Sequence, residues 1–222
     1  MNRSQHVLTA LLLASSSIAF AEPEPLTLDL GHAYFGWEID HFEYSNTVGQ
    51  FREFDGSFVV DTDDLENSEI SFVVQTASIA SNHSGRDNHL RAADLLNANE
   101  FPTIEFISTD IEMSDDAHGV ISGDLTFMGT TMPFSMAFQV TGDAKFAAFL
   151  PRYGELRAIG IEAEGRLDRL AHGFDALNFP GSPLGQYIDL DVHFDLVDCE
   201  SAKEDNIPCQ YGRNETLEFP HE

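Results

Sequence analysis

His83 and His89 lie six residues apart, with Ser84 and Asp87 between them, a set of side-chain types that could do chemistry. A serine, an aspartate and a histidine could act as nucleophile, orienting acid and base, and two histidines could ligate a metal. Sequence proximity does not supply either geometry, because a triad is assembled by the fold. Surface or hydrogen-bonding histidines are the commoner outcome at such a loop-to-helix junction. Arg86 and Asp87 allow two readings, an ion pair that anchors a short helix or a contact for a polar headgroup. The chain has no glycine-rich phosphate loop after a strand, and no HExxH, CxxC or GxSxG. The expectation is a protein without a catalytic residue, metal or catalytic cofactor.

The only two cysteines, Cys199 and Cys209, lie in a polar C-terminal stretch with no nearby ligand histidine. They are expected to form a disulfide. Residues 1–21 read as a cleaved signal peptide: Arg3 supplies the positive start, Val7–Ala14 the apolar stretch, and Ala19-Phe20-Ala21 the cleavage site. The remainder divides into an expected barrel, 22–198, and a tail, 199–222. A periplasmic location follows from export. The formal charge of −27 becomes −28 without Arg3. That acidity makes nucleic acid a poor partner and disfavours anionic lipid headgroups.

The elements that must position these groups are strands. In Tyr187–Val197, Ile188, Leu190, Val192, Phe194 and Leu196 alternate with Asp189, Asp191, His193 and Asp195, giving one apolar and one wet face. The same period places Phe35, Trp37 and Ile39 together, then Phe72 and Val74, then Phe106. Further along it aligns Phe127, then Phe134, Met136 and Phe138, then Ile161, with Phe194 in the last strand. About eight strands with short turns predict an all-β, eight-stranded antiparallel barrel of lipocalin-like form. Ser84–Pro102 interrupts the pattern as a short helical lid carrying Leu90, Leu95 and Leu96, with Asp87 as its expected cap. The inward faces are rich in phenylalanine and methionine. They could fill the barrel as a packed core, leaving a module that binds another protein. They could equally line a lumen that grips a flexible apolar chain.

Several stretches resemble the YceI-like family of periplasmic polyisoprenoid-binding proteins. HAYFGWEIDH (32–41) is similar to the family's first strand, and GQFREFDGSFVVD (49–61) matches its G-x-F-x-x-F-x-G pattern. SIASNHSGRDNHLRAADLLNANEFPTIEF (78–106) is the most specific match. GDLTFMGTTMPFSMAFQV (123–140) and the pair Arg169 and Gly173 follow in the expected order. Ala33, Leu95, Leu96 and His172 depart from the pattern. The resemblance implies a lumen lined by Phe35, Trp37, Ile39, Phe72, Val74, Phe106, Phe127, Phe134, Met136, Phe138, Ile161 and Phe194. It also implies a lid or headgroup region at Arg86, Asp87, His89 and Leu90. The implied ligand is a polyisoprenoid lipid, a polyprenyl phosphate or a quinone, exchanged transiently with a membrane. A neutral quinone head is electrostatically easier on so acidic a chain, unless Arg86, Arg91, Lys145, Arg152 and Arg157 meet at one mouth. The oligomeric state is left open, a homodimer among the candidates.

Overall fold

The alternation at the C-terminal end becomes β10 (Leu184–Val197), whose apolar residues turn inward while Asp189 and Asp191 stay on the outside. The computed structural model describes residues 23–145 and 156–199. The chain opens with β1 (Glu24–His41), β2 (Ser45–Phe51), β3 (Phe54–Val60), β4 (Glu69–Gln75) and the two-residue β5 (Ile79–Ala80). Helix α1 (Ser84–Leu90) follows, then β6 (Thr103–Met113), β7 (His118–Phe127), β8 (Thr130–Lys145) and β9 (Arg157–Asp168) before β10.

Ten segments make eight staves. β2 and β3 are halves of one stave, broken at Arg52 and Glu53, where the partner of the long β1 changes from β2 to β3. β4 and β5 are halves of the next, separated by a 3₁₀ turn at Thr76–Ser78, with β4 on β3 and β5 on β2. β6 pairs antiparallel with β4, β7 to β10 each pair antiparallel with the strand before, and β10 returns to β1 from Thr27↔Val197 to His41↔Leu184. The sheet therefore closes as an eight-stranded antiparallel barrel and removes the edges that would otherwise seek partners. The turn joining β7 to β8 is a two-residue hairpin with Met128 and Gly129 both at positive φ (50° and 73°), the conformation whose twist matches antiparallel strands.

One detail departs from the sequence reading. The α1 cap is His83, whose Nδ1 accepts from the Arg86 N–H at 3.1 Å, while Asp87 sits inside the first turn. On the other side of the barrel β8 runs to Lys145 and β9 begins at Arg157.

Up-and-down connectivity sorts the loops between two ends. One end carries the β1–β2 tip, α1 with the turns after it, the β7–β8 hairpin and the loop between β9 and β10. The other carries the β3–β4 connection, with Asp61, Asp63, Asp64 and Glu66, and the β6–β7 turn, with Asp115 and Asp116. Beyond β10, Cys199 is buried and disulfide-bonded. Its expected partner Cys209, the cleavage site and the 199–222 tail beyond Cys199 lie outside the described residues.

Candidate functional site

Among the described residues, the barrel interior is not filled. Two apolar chambers lie along its axis and share one wall residue, Phe35. The first, towards the acidic end, has a volume of about 70 Å³. Phe72, Met136, Phe138, Ile161 and Phe194 line it, and Ser68 is its one polar side chain. The second, beneath α1, has a volume of about 100 Å³, with Trp37, Ile39 and Phe127 in its wall and Leu90, Leu96 and Phe174 among its further lining residues. A water needs only about 10–15 Å³ of such space, so each chamber exceeds the small voids of an ordinary core several times over.

Three of the expected lumen residues behave differently. Val74, Phe106 and Phe134 are buried within the core cluster, but none borders either chamber. For the two phenylalanines the reason is a neighbouring glycine. A Cβ at Gly123 would lie 2.7 Å from the Phe106 ring, and one at Gly165 the same distance from the Phe134 ring. Each ring thus lies across a bare stretch of the adjacent strand and thickens the wall. Trp37 does the same over Gly49, where a Cβ would come within 2.2 Å of Cζ2, yet it still borders the second chamber.

Phe174 was not foreseen because it sits in an aperiodic loop. Arg169 holds that loop in place. Its guanidinium is almost completely buried and donates to the carbonyls of Gly185 (2.6 Å), Phe174 (2.7 Å) and Ala176 (3.0 Å). Burial lowers its pKa, although an arginine remains protonated at any physiological pH. The guanidinium carbon also sits 5.4 Å from the centroid of the Phe174 ring, a cation–π contact.

The lid residues converge on one anchor. Asp87 accepts from both the backbone N–H (2.8 Å) and the hydroxyl of buried Ser81, and Arg86 donates to the Ser81 oxygen atoms. Arg91 fastens the same segment through the carbonyls of Ala77 and Ile79. The Ser81 hydroxyl holds the Asp87 carboxyl below the usual aspartate range, with the nearby Arg91 and Arg86 charges adding to the effect. A carboxyl made more acidic by folding contributes its full stabilisation above the ordinary aspartate range and loses it as pH falls through the depressed value. Protection of Leu90–Leu96 against hydrogen exchange, corrected for intrinsic rate, should therefore hold at neutral pH and drop in acid. Asp87→Asn should abolish that acid step, and an unchanged step in the variant would show that another group controls the lid.

The geometry does not assemble the hydrolytic or metal alternatives at this helix. Asp87 is committed to Ser81, His89 Nε2 lies 3.0 Å from Asp94, and His83 caps the helix. The cations also fail to meet at one mouth. Arg86 and Arg91 lie at the lid end, whereas Lys145 and Arg157 lie at the other, where Arg157 forks onto Asp143. Arg152 is outside the described residues. Among the described residues one cluster, Asp29, His32 and Asp195, has metal-ligand spacing. Its chemistry is already accounted for by an ion pair of 2.6 Å between His32 Nδ1 and Asp29, which raises the pKa of His32.

Residues 26–196 match the model of the YceI-like domain. A UPF0312 protein of Pseudomonas putida is 37% identical over 189 residues, covering 85% of this chain and 92% of the relative. Protein YceI of Shigella flexneri is 34% identical over 158 residues, 71% and 79% of the two chains. Among solved structures, the YceI protein of Campylobacter jejuni superposes with a TM-score of 0.64 at 21% identity, covering 86% of this chain and 99% of that one. A polyisoprenoid binding domain from Saccharophagus degradans superposes at 0.53 and 9% identity, with 79% and 98% coverage. The closed barrel, the lid segment and these matches together show that the chain belongs to the YceI-like family.

Proposed function

We propose that this protein is a non-enzymatic carrier that holds the tail of a polyisoprenoid lipid along the barrel axis. The observation that carries this reading is the pair of unfilled apolar chambers that share Phe35 as a wall. The related fold in Saccharophagus degradans, described as a polyisoprenoid binding domain, supports the same ligand class. Burying roughly 500 Å² of tail at about 25 cal/mol/Å² would gain on the order of 12 kcal/mol relative to water, before association costs. Relative to a bilayer the gain nearly vanishes, because the tail is already in hydrocarbon. Such a protein exchanges cargo with membranes and does not trap it.

The headgroup is read as neutral, a quinone rather than a pyrophosphate. The described lysine and arginine residues spread over both ends, and Arg86 and Arg91 at the lid helix are committed to backbone carbonyls or to Ser81. The signal-like N-terminus supports a periplasmic carrier. Native mass spectrometry of protein recovered from its own cell envelope tests both points. The expected species begins at Glu22 and carries a lipid that extracts into organic solvent as a neutral isoprenoid. A polypeptide free of lipid and unable to take up a fluorescent isoprenoid would overturn the carrier reading, and retention of residues 1–21 would overturn the export reading.

A further inference from the structure

Among the described residues, the outer surface is unlike at its two ends. The end formed by the β3–β4 and β6–β7 connections presents acidic side chains. The opposite end presents exposed aromatic and aliphatic ones. Tyr44 is 88% exposed and Phe179 53%, with Phe42, Leu177 and Tyr187 also outside. Isolated surface hydrophobics need no explanation, but these are joined. The Phe42 N–H donates to the Pro183 carbonyl at 3.1 Å, and the Ser182 N–H donates to the Phe179 carbonyl at 2.9 Å, so the two loop tips form one rim. Phe42 and Tyr44 stack with ring centroids 6.1 Å apart.

Backbone and charge mark the same rim. Phe42 and Glu43 adopt φ of 58° and 57°, and Leu177 56°, the left-handed region that bulky residues avoid. Such conformations persist where surrounding structure holds them, and here they turn apolar side chains towards solvent. The run Ala176–Ile188 contains no charged residue, although the whole chain carries a net charge of −27. The rim is also continuous with the second chamber, because Phe174 and Leu184 of this loop region line it from the inside.

We propose that this end of the barrel docks on a zwitterionic lipid surface, through the Phe42–Tyr44 tip and the loop around Phe179. The inference rests on the carrier reading and supplies the surface through which cargo would pass. Amphipathic and aromatic side chains of this kind sit well at the boundary between headgroups and acyl chains. The nearby carboxylates Asp40, Glu43 and Asp175 select against an anionic surface. Arg166, beside Tyr187, does not reverse that preference, since it is forked onto Asp189.

The test uses the full chain and phosphatidylcholine vesicles that contain no isoprenoid. Wild type should float with these vesicles, at both low and molar salt, and bind less to vesicles containing phosphatidylglycerol. The triple variant F42S/Y44S/F179S should lose vesicle binding by more than about tenfold, given three aromatic side chains withdrawn from the interface. Tyr44→Ser alone, at a position whose only ring contact among the described residues is the exposed Phe42, should give a smaller loss with the fold intact. Affinity for a short fluorescent isoprenoid alcohol added from solution should not change in either variant, while uptake from loaded vesicles slows. Equal flotation of wild type and both variants would overturn the docking surface. So would a vesicle-free dimer that the triple variant abolishes, because the rim would then be an interface between copies. Wild type that floats but takes up no isoprenoid would remove the carrier reading and leave the docking surface standing.

Discussion

Arg169→Ala should destabilise the barrel by about 2–4 kcal/mol, because three carbonyls lose their donor at once and part of the cost of each unsatisfied group is recovered only if water enters. The affected carbonyls are those of Phe174, Ala176 and Gly185, so the loss should concentrate in the loop between β9 and β10. Urea unfolding followed by tryptophan fluorescence reports the global term through Trp37, the chain's single tryptophan. Hydrogen exchange across residues 170–186 reports the local one. Arg169→Lys should recover only part of the stability, since an ammonium cannot reproduce a planar fork spanning three acceptors. Coincident unfolding midpoints for wild type and Arg169→Ala would mean that the loop is held by packing alone.

Met136→Trp should leave the ligand-free barrel folded with nearly unchanged melting, yet reduce isoprenoid affinity by tenfold or more. Met136 lies on β8 between Phe134 and Phe138, opposite Gly165 of β9, and borders the first chamber. An indole at that position has empty space to grow into, and it then occupies the volume that a tail would fill. In a close-packed core the same enlargement would force strained rotamers and cost about 1–3 kcal/mol. Melting of the ligand-free protein and titration with a fluorescent isoprenoid separate the two cases. A strongly destabilised variant, or one that binds normally, would refute the assignment of this face to an open chamber.

The strands were legible because alternation is a local property and most inward positions here are large and apolar. Trp37, Phe72, Met136 and Phe194 could be placed by counting in twos. The count fails where a bulge intervenes: β6 slips between Ser108 and Asp110, so its inward series passes from Phe106 to Ile111. Nor could alternation reveal which inward rings face space. Phe106 and Phe134 depend on Gly123 and Gly165, which are neighbours only across the sheet. Phe174 gave no signal, since a loop has no period, and the role of Arg169 appears only when its three acceptors are brought around it. The scattering of the cations had a readable cause. In an up-and-down barrel successive connections alternate between ends, so groups after the third stave and before the seventh cannot share a mouth.

Phe35 divides the interior while belonging to both halves, and its ring rests edge-on or tilted against Phe51, Phe54 and Phe72, with centroids 5.9–6.3 Å away. A partition of this kind acts as a graduation mark on a ruler. A cargo short enough to stop before the ring uses one compartment, and each further isoprene adds little until the chain is long enough to pass. Beyond that length the second compartment contributes as well. Affinity plotted against isoprene number should then rise as a staircase with a tread at Phe35, and Phe35→Ala should turn the staircase into a ramp.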